Sequence, residues 1–216
     1  MSVKSDVQGF DISSHSAVVI GCGGLGTNAA VHLAGAGIGR LHLIDYDTVE
    51  ERNLNRQFFY TPADKGEEKA RLLAGRLKAY APDCDITFSV EKINGSEDFG
   101  SYEIIIIAVD NIETRVLVNE YCKKSGRPCV NGSINGFFGT AYLFIPGRTP
   151  DLEAAGCLNE TGSKNKSPSS TAAIIGAYEA KLAVDFFLGD QSSAGKLYIY
   201  DNNEIKSLNI RRDDND

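Results

Sequence analysis

A glycine-rich turn follows the first apolar run of the chain. The sequence Gly21-Cys22-Gly23-Gly24-Leu25-Gly26 has glycine at its first, third and sixth positions, which is the spacing of a dinucleotide-binding turn. The residues after it have the pattern of a helix, and the N-terminus of a helix offers unpaired N–H groups to a phosphate. The turn therefore predicts a nucleotide site, with simple packing of a helix against a strand as the alternative.

A carboxylate stands at the end of the second predicted strand. Asp45 comes 19 residues after Gly26, and an acid at this position of a nucleotide-binding fold can accept both hydroxyls of an adenosine ribose. Asp47, Glu50 and Glu51 follow closely, so a solvated loop acid is the alternative. The turn and Asp45 together predict adenosine binding and leave hydride transfer and nucleotidyl transfer both open.

The next segment favours nucleotidyl transfer. Asn53, Arg56 and Gln57 lie within five residues, and Lys69 follows at the start of the next predicted helix. An enzyme that acts on a triphosphate needs such cations, because negative charge builds up on phosphate oxygens in the transition state. Arginine donates in a fork that matches phosphate, whereas lysine acts as a mobile point charge. The alternative is a surface arginine and a surface lysine in a polar loop.

A second carboxylate follows the most apolar strand of the sequence. The run Ile104 to Val109 leads into Asp110, and the end of a strand in an open parallel sheet is where ligands bind. A carboxylate there could hold Mg²⁺ that bridges phosphates. The alternative is an N-cap for the helix that begins at Asn111, a role that Asp110 could fill at the same time. Arg115, one turn further, would pair with Asp110 or face solvent.

The elements that must position these residues alternate between strands and helices. Short β-branched runs predict buried strands, and apolar residues at helical spacing predict the helices between them. Asp64 followed by Glu67 resembles a capping box for the second helix. The predicted strands are 17–20, 40–44, 86–90, 103–109 and one from 129; the helices are 25–36, one beginning after Asp64, and 111–124. This order predicts a mostly parallel sheet with helices on both faces.

The last third of the chain has a different pattern. We predict a strand at 140–145, a glycine- and serine-rich stretch at 146–170, and a helix at 171–188. A hairpin of 197–200 with 205–208, turning at Asn202-Asn203, would form a small antiparallel addition to the sheet. The stretch 146–170 is expected to be a mobile crossover loop, and the polar tail from Arg211 is expected to fray.

Composition sets the limits of this interpretation. The chain has 216 residues, 42% hydrophobic and 24% charged, which indicates a single globular domain over 1–216. A net charge of −7 argues against a nucleic-acid partner. The run Ile104 to Val109 is far shorter than the roughly 20 residues that span a bilayer, and Met1 to Phe10 lacks the apolar core of a signal peptide. We therefore expect a cytoplasmic protein with no membrane partner.

The cysteines predict free thiols. Their odd number and the absence of a Cys-x-x-Cys pair exclude a disulfide framework and a common zinc site, so no zinc is expected. An exposed thiol at Cys157 could take up an acyl group or a persulfide, although Glu153 and Glu160 would raise its pKa. The five cysteines are Cys22, Cys84, Cys122, Cys129 and Cys157.

Together these pieces resemble the ThiF/MoeB/HesA family, the bacterial relatives of ubiquitin-activating enzymes. The matching motifs keep the family's order and spacing, the resemblance covers roughly residues 13 to 210, and the stretch 174–189 resembles the family's late helix. The motifs are Gly-Cys-Gly-Gly-Leu-Gly (21–26), Asp-Tyr-Asp-Thr-Val (45–49), Asn-Leu-Asn-Arg-Gln (53–57), Lys69 and Val-Asp-Asn (109–111).

The resemblance implies a Rossmann-like fold that binds ATP with Mg²⁺ and adenylates the C-terminal glycine of a small ubiquitin-like sulfur carrier, releasing pyrophosphate. The carrier would end in Gly-Gly, and the thiamin-pathway type fits best. By the same resemblance, Asp45 would hold the ribose, Asp110 would be the magnesium ligand, and Arg56, Lys69 and Asp110 would be the catalytic residues. The nucleotide would be bound by Gly21, Gly23, Gly24, Gly26, Asp45, Asn53, Arg56, Gln57, Lys69 and Asp110.

The sequence departs from the family pattern in three places. Residues 1–15 contain no arginine, whereas longer relatives send one from an early helix into the partner subunit's site. Glu160 stands where the mate of Cys157 in a zinc pair would be, and the C-terminal pair is missing. The stretch 162–170 has no cysteine for a thioester. These departures make conjugation doubtful and leave adenylation in place.

Three other functions remain open. The protein could adenylate another acyl group, on a modified tRNA base or a peptide. It could be a nicotinamide oxidoreductase, or a non-catalytic module that binds nucleotide and recognises a partner. By resemblance we also expect a homodimer.

Overall fold

One mostly parallel sheet organises the protein. The computed structural model describes residues 10–159, 167–190, 192–201 and 203–210. Within them the sheet has eight strands in the order β3-β2-β1-β4-β5-β6-β7-β8. The strands are β1 (Ser16–Ile20), β2 (Arg40–Ile44), β3 (Asp85–Ser89), β4 (Ile104–Ile107), β5 (Cys129–Asn135), β6 (Phe138–Phe144), β7 (Lys196–Tyr200) and β8 (Ile205–Asn209).

The sheet has two halves with different strand directions. Strands β1 to β5 pair in parallel, and β5 to β8 pair antiparallel in chain order. Parallel neighbours need a crossover, and antiparallel neighbours can be joined by a short turn. The sequence prediction of a Rossmann-like, mostly parallel sheet with an antiparallel C-terminal addition is confirmed.

Helices cover both faces of the parallel half. Helices α1 (Gly24–Gly35), α2 (Lys69–Tyr80) and α4 (Ser169–Phe187) pack into one apolar core, and α3 (Ile112–Ser125) packs into a second core on the other face. Alternate residues of β1 divide between the two: Val19 belongs to the first and Val18 to the second. Burial on both faces explains why these strands are continuous aliphatic runs.

The segment before α2 differs from its prediction. Asp64 does not cap α2: its carboxylate accepts from the N–H and the hydroxyl of Thr61 and closes a 3₁₀ turn, Pro62–Asp64. The α2 helix begins only at Lys69. Arg76 of α2 reaches back to the Asp64 carboxylate at 2.7 Å, and this pairing holds the pKa of Asp64 at about 2. The predicted capping box of Asp64 with Glu67 is therefore wrong, and Asp64 instead forms a box with Thr61 in the preceding turn.

Helix α4 lies unusually close to α1. A Cβ at Gly176 would lie 2.5 Å from the carbonyl oxygen of Leu25 and 2.6 Å from Cβ of Asn28, so only glycine permits this approach. The contact fixes the first half of α4 beside the glycine-rich turn. Of the predicted crossover loop, residues 160–166 lie outside the described residues, as do Asn202 of the predicted turn and the tail from Arg211.

Candidate nucleotide-binding site

The glycine-rich turn lies at the carboxyl edge of the parallel strands. Gly21 has a φ of +95°, and a Cβ there would lie 2.6 Å from the carbonyl oxygen of Ala108. A Cβ at Gly26 would overlap the carbonyl oxygen of Gly21. Gly23 provides no side-chain cap for α1, so the first N–H groups of the helix face outward with its positive dipole end. This arrangement suits a phosphate.

Asp45 ties the end of β2 to this turn. Its Oδ2 accepts from the backbone N–H of Cys22 at 2.6 Å, and its Oδ1 accepts from the N–H of Asp47 at 2.8 Å. Burial raises the pKa of Asp45, and these two hydrogen bonds oppose that rise. Each oxygen keeps a lone pair, so the carboxylate can still accept from ribose hydroxyls.

Arg56 is held by two neutral amides. One guanidinium nitrogen donates to Oδ1 of Asn53 at 3.3 Å, and another donates to Oδ1 of Asn55 at 3.1 Å. The backbone of Arg56 lies against the turn, because a Cβ on Gly24 would be 3.2 Å from its carbonyl oxygen. The amides orient the guanidinium without cancelling its charge.

Gln57 supplies an observation that favours a bound nucleotide. Its side chain is 3% exposed, and its Nε2 lies 3.5 Å from the position of a Cβ on Gly23. Its Oε1 is buried without a hydrogen-bond partner. Buried acceptors are normally satisfied, and a ligand or water beside the glycine turn would satisfy this one.

Lys69 begins α2 and points into the same edge. Its side chain is 4% exposed, and Nζ lies 3.0 Å from Oδ2 of Asp47, whose side chain is 50% exposed. The hydroxyl of Tyr60 donates to the carbonyl oxygen of Cys22 at 2.8 Å and lies 3.3 Å from that of Lys69. Tyr60 therefore joins the glycine turn to the start of α2.

Asp110 is exposed just beyond β4 and is not used as a helix cap. Asn111 caps α3, because its Oδ1 accepts from the N–H of Thr114 at 2.8 Å. The alternative expectation for Asp110 is therefore wrong, and its carboxylate is left to face the site. One carboxylate with phosphate oxygens and water is a donor set that suits Mg²⁺. Within the described residues no three ligating side chains cluster around a metal position.

The sequence suggested that Arg115 pairs with Asp110 or faces solvent. Neither prediction is correct. Arg115 is buried, and its guanidinium donates to the carbonyl oxygen of Val109 at 2.7 Å and to Oδ1 of Asn131 at 3.2 Å. A buried guanidinium must find acceptors, and the Val109 carbonyl is available because β4 ends at Ile107. Arg115 thus fixes the backbone immediately before Asp110.

Three carboxylates at this edge act on Tyr46. The pKa of its exposed phenol is raised, first by the charge of Asp47 and then by burial and by the charges of Asp110 and Asp45. Asp45 and Asp47 follow β2 and Asp110 follows β4, so acids from two strand ends lie at the same edge of the sheet. Nζ of Lys69 donates to Oδ2 of Asp47, so charges of both signs lie at this edge. A ligand that combines a metal ion with phosphates requires both.

Cys157 is a poor nucleophile in this structure. Burial raises the pKa of its thiol to about 12, although the nearby charge of Arg115 opposes the rise. The cause differs from the one expected, since the sequence pointed to Glu153 and Glu160, and Glu160 lies outside the described residues. A thiol that stays protonated argues against acyl or persulfide transfer.

Two residues were not singled out from the sequence. Asp47 was named only as an acid close to Asp45 and as part of the motif at 45–49, yet it pairs with Lys69. Tyr60 was not considered, yet it links the turn to α2. The only sequence signal was the position of Asp47 inside the Asp-Tyr-Asp motif, since no spacing rule relates Tyr60 to its partners.

The sheet and its edge define an α/β protein with a glycine turn, a buried carboxylate and two cations at the carboxyl ends of its parallel strands. The sequence matches the ThiF family over residues 5–216, and the chain belongs to this family. This confirms the resemblance inferred from the motifs. Within the described residues, no helix is both long enough and apolar enough to cross a membrane.

Named relatives agree on the class of enzyme. The chain is 31% identical over 210 residues to the sulfur carrier protein ThiS adenylyltransferase of Escherichia coli, covering 90% of this chain and 82% of that protein. It is 33% identical over 215 residues to the adenylyltransferase and sulfurtransferase MOCS3 of Drosophila grimshawi, covering 93% of this chain and 47% of that protein. The chain thus spans about half the length of MOCS3. These relatives are named as adenylyltransferases, the class of enzyme that the sequence predicted.

A solved structure shares the fold. E. coli MccB in complex with ATP superposes with a TM-score of 0.81 at 23% identity, covering 94% of this chain and 65% of that chain. At this identity the likeness establishes the architecture alone.

Proposed function

We propose that this protein uses ATP with Mg²⁺ to adenylate the C-terminal glycine of a ubiquitin-like sulfur carrier that ends in Gly-Gly, most plausibly of the thiamin-pathway type. The observation that supports the proposal is that Arg56 lies against the glycine turn and Lys69 pairs with Asp47 after β2, while Asp110 follows β4 at the same edge of the sheet. A hydride-transfer enzyme has no use for this cationic set beside its adenosine.

The residues divide the work of the reaction. Asp45 holds the ribose, and the turn with the N-terminus of α1 holds phosphate oxygens. The attacking group is already a carboxylate, so no general base is needed: its oxygen bonds to the α-phosphorus while the bond to pyrophosphate breaks. Arg56 and Lys69 neutralise the charge that develops on the phosphates. When bound at Asp110, the magnesium ion supplies further neutralisation.

The test is ATP–pyrophosphate exchange with a panel of acyl acceptors. Radiolabelled pyrophosphate should enter ATP only when a Gly-Gly carrier is present. Exchange with a peptide or a tRNA-linked acid would move the function to the alternative substrate class. ATP binding without any exchange would indicate a recognition module, and oxidation of NADH would indicate an oxidoreductase.

The assembly and setting of the protein are part of this proposal. We infer one adenylation domain, a homodimer, a cytoplasmic location and no nucleic-acid or membrane partner. The family resemblance supports the dimer, and the charge of −7 supports the absence of nucleic acid. Sedimentation equilibrium would test the dimer.

A further inference from the structure

The two cations of the site are held by partners of different charge. Arg56 is held by the uncharged amides of Asn53 and Asn55. Lys69, by contrast, is held by the carboxylate of Asp47 at 3.0 Å. The charge of Lys69 is therefore already compensated, whereas that of Arg56 is not.

Burial explains why Lys69 has a carboxylate partner. An ammonium group with little contact with water needs a nearby negative charge or strong acceptors. The groups that interact electrostatically with it come from three segments: the glycine turn, the end of β2, and the polar loop before α2. They are Cys22, Asp45, Asp47 and Glu50, and the hydroxyl of Tyr60 lies against the backbone carbonyl oxygen of Lys69.

Among these groups only Asp47 can exchange places with a phosphate. Asp45 is committed to two backbone N–H groups, and burial keeps Cys22 and Tyr60 protonated by raising the pKa of each. Glu50 bonds to Arg52 at the surface. Asp47 is half exposed, so water can solvate its carboxylate once Lys69 leaves it.

We propose that Asp47 is a positioning residue that holds Lys69 at the phosphate site and releases it to the triphosphate when ATP binds. This inference rests on the proposed nucleotide site. In the free protein the carboxylate occupies the place of a phosphate oxygen beside Nζ. On binding, one ion pair replaces another, so Lys69 is never left buried and unpaired.

The proposed replacement of Asp47 by a phosphate beside Lys69 predicts two linked effects of Asp47→Asn. Without nucleotide the variant should melt at a lower temperature, because Lys69 loses its counter-ion. Saturating ATP should close most of that gap, because phosphate supplies the missing charge. By thermodynamic linkage the variant then binds ATP about fivefold more tightly than the unmodified protein, a factor in keeping with the loss of one competing, partly exposed ion pair.

Calorimetry of ATP binding and melting curves with and without ATP test this inference. Asp47→Glu, which keeps the charge, should restore both properties. In a Lys69→Met background Asp47→Asn should no longer tighten binding. Glu51→Gln is the matched control, because Glu51 pairs with Lys65 at the surface of the same segment at 3.4 Å, and ATP should not alter its melting difference.

The outcomes separate the inference from the proposed function. If the unmodified protein binds no ATP, the proposed nucleotide site is wrong and the inference falls with it. If the unmodified protein binds ATP but the melting gap of Asp47→Asn persists, Asp47 is only structural and the inference is wrong. Tighter binding that survives in the Lys69→Met background would also overturn it, because Asp47 would then act by simple repulsion of ATP.

Discussion

The two halves of the sheet contrast strongly in burial. In the parallel half every residue of β4 is buried, whereas in the antiparallel half every residue of β8 is exposed. Helices cover both faces of β4, and Tyr178 of α4 still contacts Tyr198 of β7, but β8 extends past that cover. The proposed nucleotide site lies on the fully packed half. Substitutions there should therefore act strongly, and those in β8 weakly.

The largest loss of activity is expected from a substitution of Asp110, at the carboxyl edge of the parallel strands. Asp110→Asn should lower ATP–pyrophosphate exchange by about 10³-fold, because loss of its charge removes a proposed magnesium ligand from a site that stabilises developing charge. The circular dichroism spectrum should not change, since the side chain is exposed. Exchange close to normal would remove Asp110 from the mechanism.

The two cations should have the next largest effect. Arg56→Ala and Lys69→Ala should each lower the exchange rate by about 10²-fold, the usual consequence of losing one group that stabilises transition-state charge. Steady-state exchange kinetics would measure it. If turnover is unchanged in both variants, the polar loop is only a surface segment. The difference in burial between the two halves would then say nothing about where the active site lies.

Stability measurements compare the two halves directly. Ile106→Ala in β4 should lower the unfolding free energy by about 3 kcal/mol, because it opens a cavity in a fully buried strand. Leu208→Ala in β8, where the side chain is 54% exposed, should change it by less than about 0.5 kcal/mol. Urea titration gives both values, and equal losses would show that β8 is covered in solution.

A pH-dependent change in the unfolding free energy is expected from Glu179, which lies where the two halves of the sheet meet. Glu179 of α4 lies against Gly132 of β5, and burial raises its pKa, opposed by the charge of Arg115. The folded protein therefore keeps a proton that the unfolded chain loses above the ordinary glutamate pKa of about 4.3. Stability contributed by this group falls as pH rises, by at most about 1.4 kcal/mol per pH unit.

Glu179→Gln mimics the protonated carboxyl and should remove that fall. Between pH 5 and about 8, the unfolding free energy of the variant should rise relative to that of the unmodified protein. Chemical denaturation at several pH values measures the difference. A constant difference across this range would mean that Glu179 is ionised in the folded state.

The smallest effect is expected at Cys157. Cys157→Ser should leave adenylation of the carrier unchanged, because that step needs no thiol and burial keeps this thiol protonated. Mass spectrometry of the acyl-adenylate would measure the product. Loss of adenylate formation would contradict the proposed chemistry, whereas failure of a later thiocarboxylate step alone would restore the sulfur-transfer role.

The parallel half was predictable from sequence because burial on both faces leaves an unambiguous aliphatic pattern. Its strands, helices and glycine turn all followed from that pattern and from the known needs of a phosphate. The hydrogen-bond partners of individual side chains did not follow from the sequence. Arg115 was expected to pair with Asp110 or to face solvent, but its guanidinium donates to the carbonyl oxygen of Val109 and to Oδ1 of Asn131 in β5, 16 residues away in the chain. Such choices depend on which carbonyls tertiary packing leaves unpaired.

The ion-pair partner of Lys69 could likewise not be predicted from the sequence. The position of Lys69 at the start of α2 was evident from the sequence, but its burial and its pairing with Asp47 arise from the way the polar loop folds over the turn. Likewise, Asp64 and Glu67 had the spacing of a capping box, yet Thr61 formed the actual box. Short-range patterns identify capping residues more readily than the helix or turn that they cap.

The exposed strand β8 has a consequence for solubility. It stands at the edge of the sheet, and an open edge is a template on which another copy can add a strand and begin an aggregate. Lys206 occupies the second position of this five-residue strand, with its ammonium 2.7 Å from Glu204 and well exposed. A charge there must lose water when two edges meet. Lys206 thus protects the protein from polymerising through its own sheet.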